Sequence, residues 1–135
     1  MSTNPERAVS YVLSKYVTEY MDKDVLILSK NTQTREAARM LRHYETDDIV
    51  VTDDEKKPVG IVTDEDILNK VSDASVYAEA TKLKDVMSTP LITINEKATL
   101  QDALHKMRDN DIRKLPVISK KNQIMGIIFQ STIAN

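Results

Sequence analysis

The sequence predicts a mixed α/β (α+β) fold: two β-α-β-β-α repeats packed with pseudo-two-fold symmetry, preceded by an N-terminal amphipathic helix. Three observations predict it. Tyr20–Leu68 lies over Val86–Ala134 without a gap, at a constant offset of 66 residues, and internal repetition decides an architecture before any single motif does. Each copy then reads as an apolar strand, a helix, two strands and a closing helix. Finally, 135 residues with 41% hydrophobic and 30% charged side chains suffice for one ordinary globular core. One copy alone is too small to bury its sheet well, so the two are expected to pack sheet to sheet, share a core and leave clefts where they meet.

Residues 1–19 are expected to be the leading helix. Asn4-Pro5 supplies an N-cap and a first-turn proline. Val9, Val12, Leu13, Tyr16, Val17 and Tyr20 then recur at helical spacing. That apolar face must be covered, by its own domain or by a second chain.

The first repeat is expected over 20–70. Val25-Leu26-Ile27-Leu28 is its first strand, and Ala37, Met40, Leu41 and Tyr44 form the apolar stripe of its helix. Ile49-Val50-Val51 and Gly60-Ile61-Val62 are strands joined by the polar turn Asp53–Lys57, and a closing helix starts near Asp64. Residues 71–85 link the repeats; they lack Gly and Pro, so part of the linker can be helical. The second repeat is expected over 86–135. It has Leu91-Ile92-Thr93-Ile94 as a strand, then Thr99-x-x-Asp102 at capping-box spacing ahead of Ala103, Leu104 and Met107. Strands at Leu115-Pro116-Val117 and Gly126-Ile127-Ile128 flank the turn Ser119–Gln123, and a helix starts near Gln130. Met21 and Met87, Ala37 and Ala103, Gly60 and Gly126, and Ile67 and Ile133 fall in the same register.

Composition removes several classes of function. With 19 basic and 21 acidic residues the net charge is −2, whereas a domain that grips nucleic acid is usually markedly basic. The absence of cysteine excludes a disulfide framework, a thiolate zinc site and a cysteine nucleophile. No apolar run reaches the ~18 residues of a membrane span, and Met1–Arg7 lacks the pattern of a signal peptide. A soluble, cytoplasmic protein without a membrane contact is therefore expected. His43 and His105 do not occupy equivalent repeat positions and have no Ser, Cys or second His at catalytic or metal-ligand spacing, so both read as surface residues. Met21, Met40, Met87 and Met107 read as helix or strand core, and two glycines leave no phosphate-cradling loop. No catalytic residue, metal site or covalent cofactor is expected.

Three stretches carry a family resemblance. They are Pro90–Ile94 ahead of Ala98–Leu104, then Ile112-Arg113-Lys114-Leu115-Pro116-Val117-Ile118, and Gly60-Ile61-Val62-Thr63-Asp64-Glu65-Asp66-Ile67-Leu68. In this order and spacing the chain, over about residues 17–135, resembles a tandem pair of CBS domains, or Bateman module. The resemblance implies a non-catalytic sensor. Such pairs bind adenosyl ligands (AMP, ADP, ATP or S-adenosylmethionine) between their copies, often dimerise into a disc, and regulate an attached or partnered protein. A homodimer, aided by the N-terminal helix, and a regulated partner of unknown identity are expected on the same ground.

The resemblance also assigns residues. Thr63 and Asp66 would face the ligand, the carboxylate accepting from adjacent ribose hydroxyls and the threonine donating to ribose or phosphate. Ile61 and Ile92 would lie against the base, with backbone groups reading its edge. Arg113 and Lys114 would meet the phosphates, Arg as a fork and Lys as a point charge. Each has a plainer reading. Thr63-x-x-Asp66 also has the spacing of a helix capping box, and Arg113-Lys114 can be a solvated strand edge. The copies differ here. Asp47-Asp48 stand where the second copy has Arg113-Lys114, and Phe129 and Thr132 stand where the first has Thr63 and Asp66. One competent nucleotide site per chain follows, the other being degenerate. Asp47-Asp48 could instead hold a divalent cation, but read better as solvated loop charge. The competing function is a structural dimerisation or protein-interaction module without a physiological nucleotide.

Overall fold

A computed structural model of the chain describes residues 10–73 and 81–134. It divides into two compact units, Asp24–Leu91, and Met1–Lys23 together with Ile92–Asn135.

In the Asp24–Leu91 unit, β1 (Leu26–Ser29) is followed by α1 (Thr34–His43), β2 (Asp48–Thr52), β3 (Pro58–Thr63), α2 (Asp64–Asp73) and the short α3 (Leu83–Val86). The sheet order is β1-β2-β3, with β1 parallel and β3 antiparallel to β2. Ala37 and Leu41 of α1, Ile49 and Val51 of β2, Val62 of β3 and Ile67 of α2 close one buried cluster with Leu83 and Val86. The other unit repeats the plan. It has β4 (Ile94–Asn95), α4 (Leu100–Asn110), β5 (Lys114–Ile118), β6 (Ile124–Phe129) and α5 (Gln130–Ala134), in sheet order β4-β5-β6. Leu100, Ala103, Met107, Leu115, Val117 and Ile128 form its core with Val17.

Val17 and Leu83 show how each unit is completed. The segment leading into the second repeat packs on the first, and the segment leading into the first packs on the second. Ser88 exchanges backbone bonds with Ile61 (3.0 and 3.4 Å), and Asp22 does so with Ile127 (2.8 and 2.9 Å), in the same register 66 residues apart. The two glycines explain why this register is fixed. A Cβ on Gly60 would lie 2.6 Å from Met87 Sδ, and one on Gly126 would lie 2.6 Å from the Asp22 carbonyl and 2.8 Å from Met21 Sδ. The repeated Met and Gly positions are thus the two sides of one contact, made twice.

Four expectations need correction. The leading helix does not run to Tyr20; helix ends at Leu13 within the described residues, and Val17–Glu19 is a separate 3-10 turn. The cause is tertiary. Val17 N–H donates to Ala98 O, and Leu100 N–H to Lys15 O, both at 2.9 Å, which requires extended backbone at Tyr16 (φ −78°, ψ 147°). Of the expected apolar face Val17 is buried, while Val12, Tyr16 and Tyr20 are 37%, 54% and 39% exposed. The Asn4-Pro5 cap and Val9 lie outside the described residues. Second, Leu91–Thr93 is not strand. Pro116 occupies the position of Val50, whose N–H edge faces the first strand of the sheet. Without that donor the β4–β5 ladder shrinks to Ile94↔Val117 and Asn95↔Ile118. Lys106 Nζ takes the Thr93 carbonyl instead. Third, Tyr44 follows α1 as its C-cap and is exposed, so it does not contribute to the stripe. Fourth, Asp48 is not loop charge; it is buried as the first residue of β2. Of the linker, α2 reaches Asp73 and α3 begins at Leu83, and residues 74–80 lie outside the described residues.

Candidate functional site

Strand alternation sorts the candidate residues of the Asp24–Leu91 unit. Ile49, Val51 and Val62 point into the helix-covered core. Asp48, Val50, Ile61 and Thr63 therefore share the opposite sheet face, with Asp48 directly across from Thr63 and Val50 across from Ile61. Thr63 ends β3 and Asp66 stands in the first turn of α2; both are half-buried. The two form a reciprocal capping box. Asp66 N–H donates to Thr63 Oγ1 at 3.1 Å, and Thr63 N–H donates to Asp66 Oδ2 at 2.9 Å. The box leaves two groups over: Asp66 Oδ1 takes no hydrogen bond among the described residues, and the Thr63 hydroxyl keeps its proton to donate.

Ile61 is half-buried on the same face as Thr63. Its N–H and C=O are both occupied by Ser88, so it offers a ligand its side chain and not its backbone. Ser88 itself, exposed beside Ile61, is a neighbour of the candidate site that motif reading missed, as is Asp48. The signal for Ser88 was present in the Met87–Gly60 register.

In the other unit, Leu115, Val117 and Ile128 face the core, so Lys114, Pro116, Ile127 and Phe129 share the opposite face. Lys114 is half-buried across the ladder from Phe129, and Arg113 is exposed. The Arg113 carbonyl is fixed by the Gln130 N–H at 2.8 Å, and the Asp47 carbonyl by the Asp64 N–H at 3.1 Å. This equivalent bond in each unit holds the start of the middle strand against the closing helix. Ile92 packs against the core of its own unit. Ile61, Thr63 and Asp66 thus fall in one unit, and Ile92, Arg113 and Lys114 in the other. His43 and His105 are exposed, and among the described residues no group of three His, Cys, Asp or Glu could hold a metal ion. No helix among them is long and apolar enough to cross a membrane.

The model of the CBS domain matches residues 17–73 and again 83–135. The chain belongs to the CBS-domain family. Both matches begin at the exchanged segments, at Val17 and at Leu83, and together they make the chain a tandem CBS pair. A protein of Methanopyrus kandleri is 28% identical over 87% of this chain and 60% of its own length. One of Methanocaldococcus jannaschii is 34% identical over 83% of this chain. The chain spans 60% and 29% of these two relatives. A solved protein from Pyrococcus horikoshii shares 25% identity and a TM-score of 0.77, over 90% of this chain and 91% of that one. The CBS domain pair of protein MJ0100, solved with 5'-methylthioadenosine and S-adenosyl-L-methionine, matches at 22% identity and TM-score 0.75, covering 89% and 93%. Matching stretches also lie in a homoserine O-acetyltransferase and an inosine-5'-monophosphate dehydrogenase, of which the chain spans 26% and 22%. In these larger enzymes the match is to the CBS region, and the CBS pair is a regulatory module, not a catalytic domain.

Proposed function

We propose that this CBS pair is a sensor: it binds one adenosyl ligand per chain and passes that state to a partner protein. The observation that carries the reading is the Thr63–Asp66 box, which caps α2 and still leaves a carboxylate oxygen and a hydroxyl proton to spare. A ribose needs such an acceptor for its hydroxyls. Ile61 supplies apolar surface for the base, and Arg113 and Lys114 supply positive charge for an AMP, ADP or ATP phosphate. The second copy puts Phe129 and Thr132 in place of Thr63 and Asp66, so it has no ribose carboxylate. Two solved CBS pairs support an adenosyl ligand: protein MJ0100 is complexed with S-adenosyl-L-methionine and 5'-methylthioadenosine, and CBSX2 with AMP. A soluble, cytoplasmic homodimer is part of the same reading. Control of a partner requires different ligand affinity in two states, because equal affinity shifts nothing.

A second reading is a structural interaction module without a nucleotide, and the reciprocal capping bonds of Thr63 and Asp66 favour it, since a cap alone accounts for both. Melting temperature against AMP, ADP, ATP, S-adenosylmethionine and GTP separates the two. A ligand at 100 times its Kd adds about 2.7 kcal/mol, which for a domain of this size raises the midpoint by about 10 °C. A shift with an adenosyl compound and not with GTP supports the sensor. No shift across the panel supports the interaction module.

A further inference from the structure

The β2–β3 and β5–β6 turns share one backbone form and carry opposite charge. Asp53 N–H donates to Lys57 O at 2.9 Å, and Ser119 N–H to Gln123 O at 2.8 Å. Asp53 Oδ1 accepts from the Glu55 and Lys57 N–H groups, and Ser119 Oγ from those of Lys121 and Gln123. Lys56 and Asn122 both take positive φ, 65° and 61°. A neutral Ser119 thus holds the turn as Asp53 does, and the turn itself does not require the charges that differ. Those are Asp54-Glu55-Lys56-Lys57 in one copy and Lys120-Lys121-Asn122-Gln123 in the other.

The first turn neutralises itself: Lys57 Nζ lies 3.5 Å from Glu55 and Lys30 Nζ 3.8 Å from Asp54. In the second, Lys120 and Lys121 are exposed and have no ion pair among the described residues. Lys97, exposed and equally unpaired, follows Glu96, whose N–H donates to Ile118 O at 3.0 Å. On the other side of the same stretch Tyr16 bridges to Thr99. That segment brings Lys15, its Nζ 4.6 Å from the Tyr11 ring centre, and the exposed rings of Tyr11 and Tyr16. The neighbouring carboxylates are engaged or partly covered. Glu19 accepts from Tyr16 N–H and Asp102 from Thr99 N–H, and Glu96 is half-buried. The imbalance extends to the units. The one that holds this turn has ten basic and seven acidic residues, the other nine and fourteen.

Unpaired surface cations beside exposed tyrosines match the charged rim and aromatic centre of a protein interface. A polynucleotide fits less well. The chain as a whole has a net charge of −2, which repels a polyanion that runs past the patch, and lysines offer point charges without the guanidinium fork. We infer that the β5–β6 turn of the second repeat is the docking surface for an acidic segment of a partner protein. Lys97, Lys120 and Lys121 meet its carboxylates, and Tyr11 and Tyr16 give the apolar contact. The inference rests on the reading that the chain acts through a partner, and it holds with or without a nucleotide.

The test is fluorescence anisotropy of a short labelled peptide rich in Asp and Glu with one Phe, titrated with the full chain without ligand. Lys120→Glu/Lys121→Glu is compared with Lys56→Glu/Lys57→Glu, which makes the same charge change in the equivalent turn, and circular dichroism confirms that both are folded. The first is expected to weaken binding about tenfold or more and the second to leave it within about twofold. Rising salt is expected to weaken the wild-type complex. Absence of peptide binding, or equal loss in the two double variants, overturns the surface. So does tighter binding of oligouridylate or of phosphatidylserine vesicles than of the peptide. The Lys120→Glu/Lys121→Glu chain is expected to keep any rise in melting temperature with adenosyl compounds; its loss would assign these lysines to the ligand and overturn the surface. Peptide binding by a wild-type chain that shows no such rise removes the sensor reading and leaves the docking surface standing.

Discussion

Asp66 carries two roles that substitution can separate. Its Oδ2 caps a backbone N–H, so Asp66→Ala should cost about 1 kcal/mol of stability through the cap alone. Asp102 makes the same bond with Thr99 N–H, at the same 2.9 Å, and its alanine variant should cost a similar amount. The two should part on ligand addition: Asp102→Ala keeps the rise in melting temperature and Asp66→Ala loses it. The glycines give a second contrast. A methyl at Gly126 meets a backbone carbonyl, that of Asp22, whereas one at Gly60 meets the Met87 side chain. Gly126→Ala should therefore cost about 1–3 kcal/mol in chemical denaturation and should not be rescued by shortening Met21. Gly60→Ala should cost less and recover in part with Met87→Ala. What was legible at this scale was local in sequence. Thr63-x-x-Asp66 and Thr99-x-x-Asp102 announce capping boxes by spacing, and both are present. Burial of Asp48 and the core packing of Ile92 depend on strand register and on which face the neighbouring strand covers, which spacing does not encode.

Among the elements, the exchanged leading segments matter most. Val17 is fully buried in the core that holds Leu115 and Ile128, although it lies about a hundred residues from them along the chain. Val17→Ala should cost about 2 kcal/mol, and amide exchange should place the loss in α4, β5 and β6 and not in β1–β3. Pro116 makes the complementary case. Pro116→Val restores an N–H toward the first strand, and its amide should exchange slowly as β4 lengthens toward Thr93. The order β-α-β-β-α was legible because apolar periodicity and turn residues recur in both copies. The break of the leading helix at Leu13 was not, because bonds to Ala98 and Leu100 outweigh a helical pattern that ends in exposed tyrosines.

For the whole molecule, the decisive feature is that the repeats are alike in backbone and unlike in chemistry. Gapless alignment revealed the likeness, and the family match at 17–73 and 83–135 bears it out. The unlikeness is chemical: Thr63 and Asp66 against Phe129 and Thr132, Asp47-Asp48 against Arg113-Lys114. A pair with two equal sites would bind two ligands; this pair should bind one. The most direct measurement is a calorimetric titration of the preferred adenosyl compound into the wild-type chain, Asp66→Asn and Thr132→Ala. The account predicts one ligand per chain, binding abolished or weakened at least tenfold in Asp66→Asn, and unchanged binding in Thr132→Ala. Two ligands per chain, or full affinity without the Asp66 carboxylate, would contradict it.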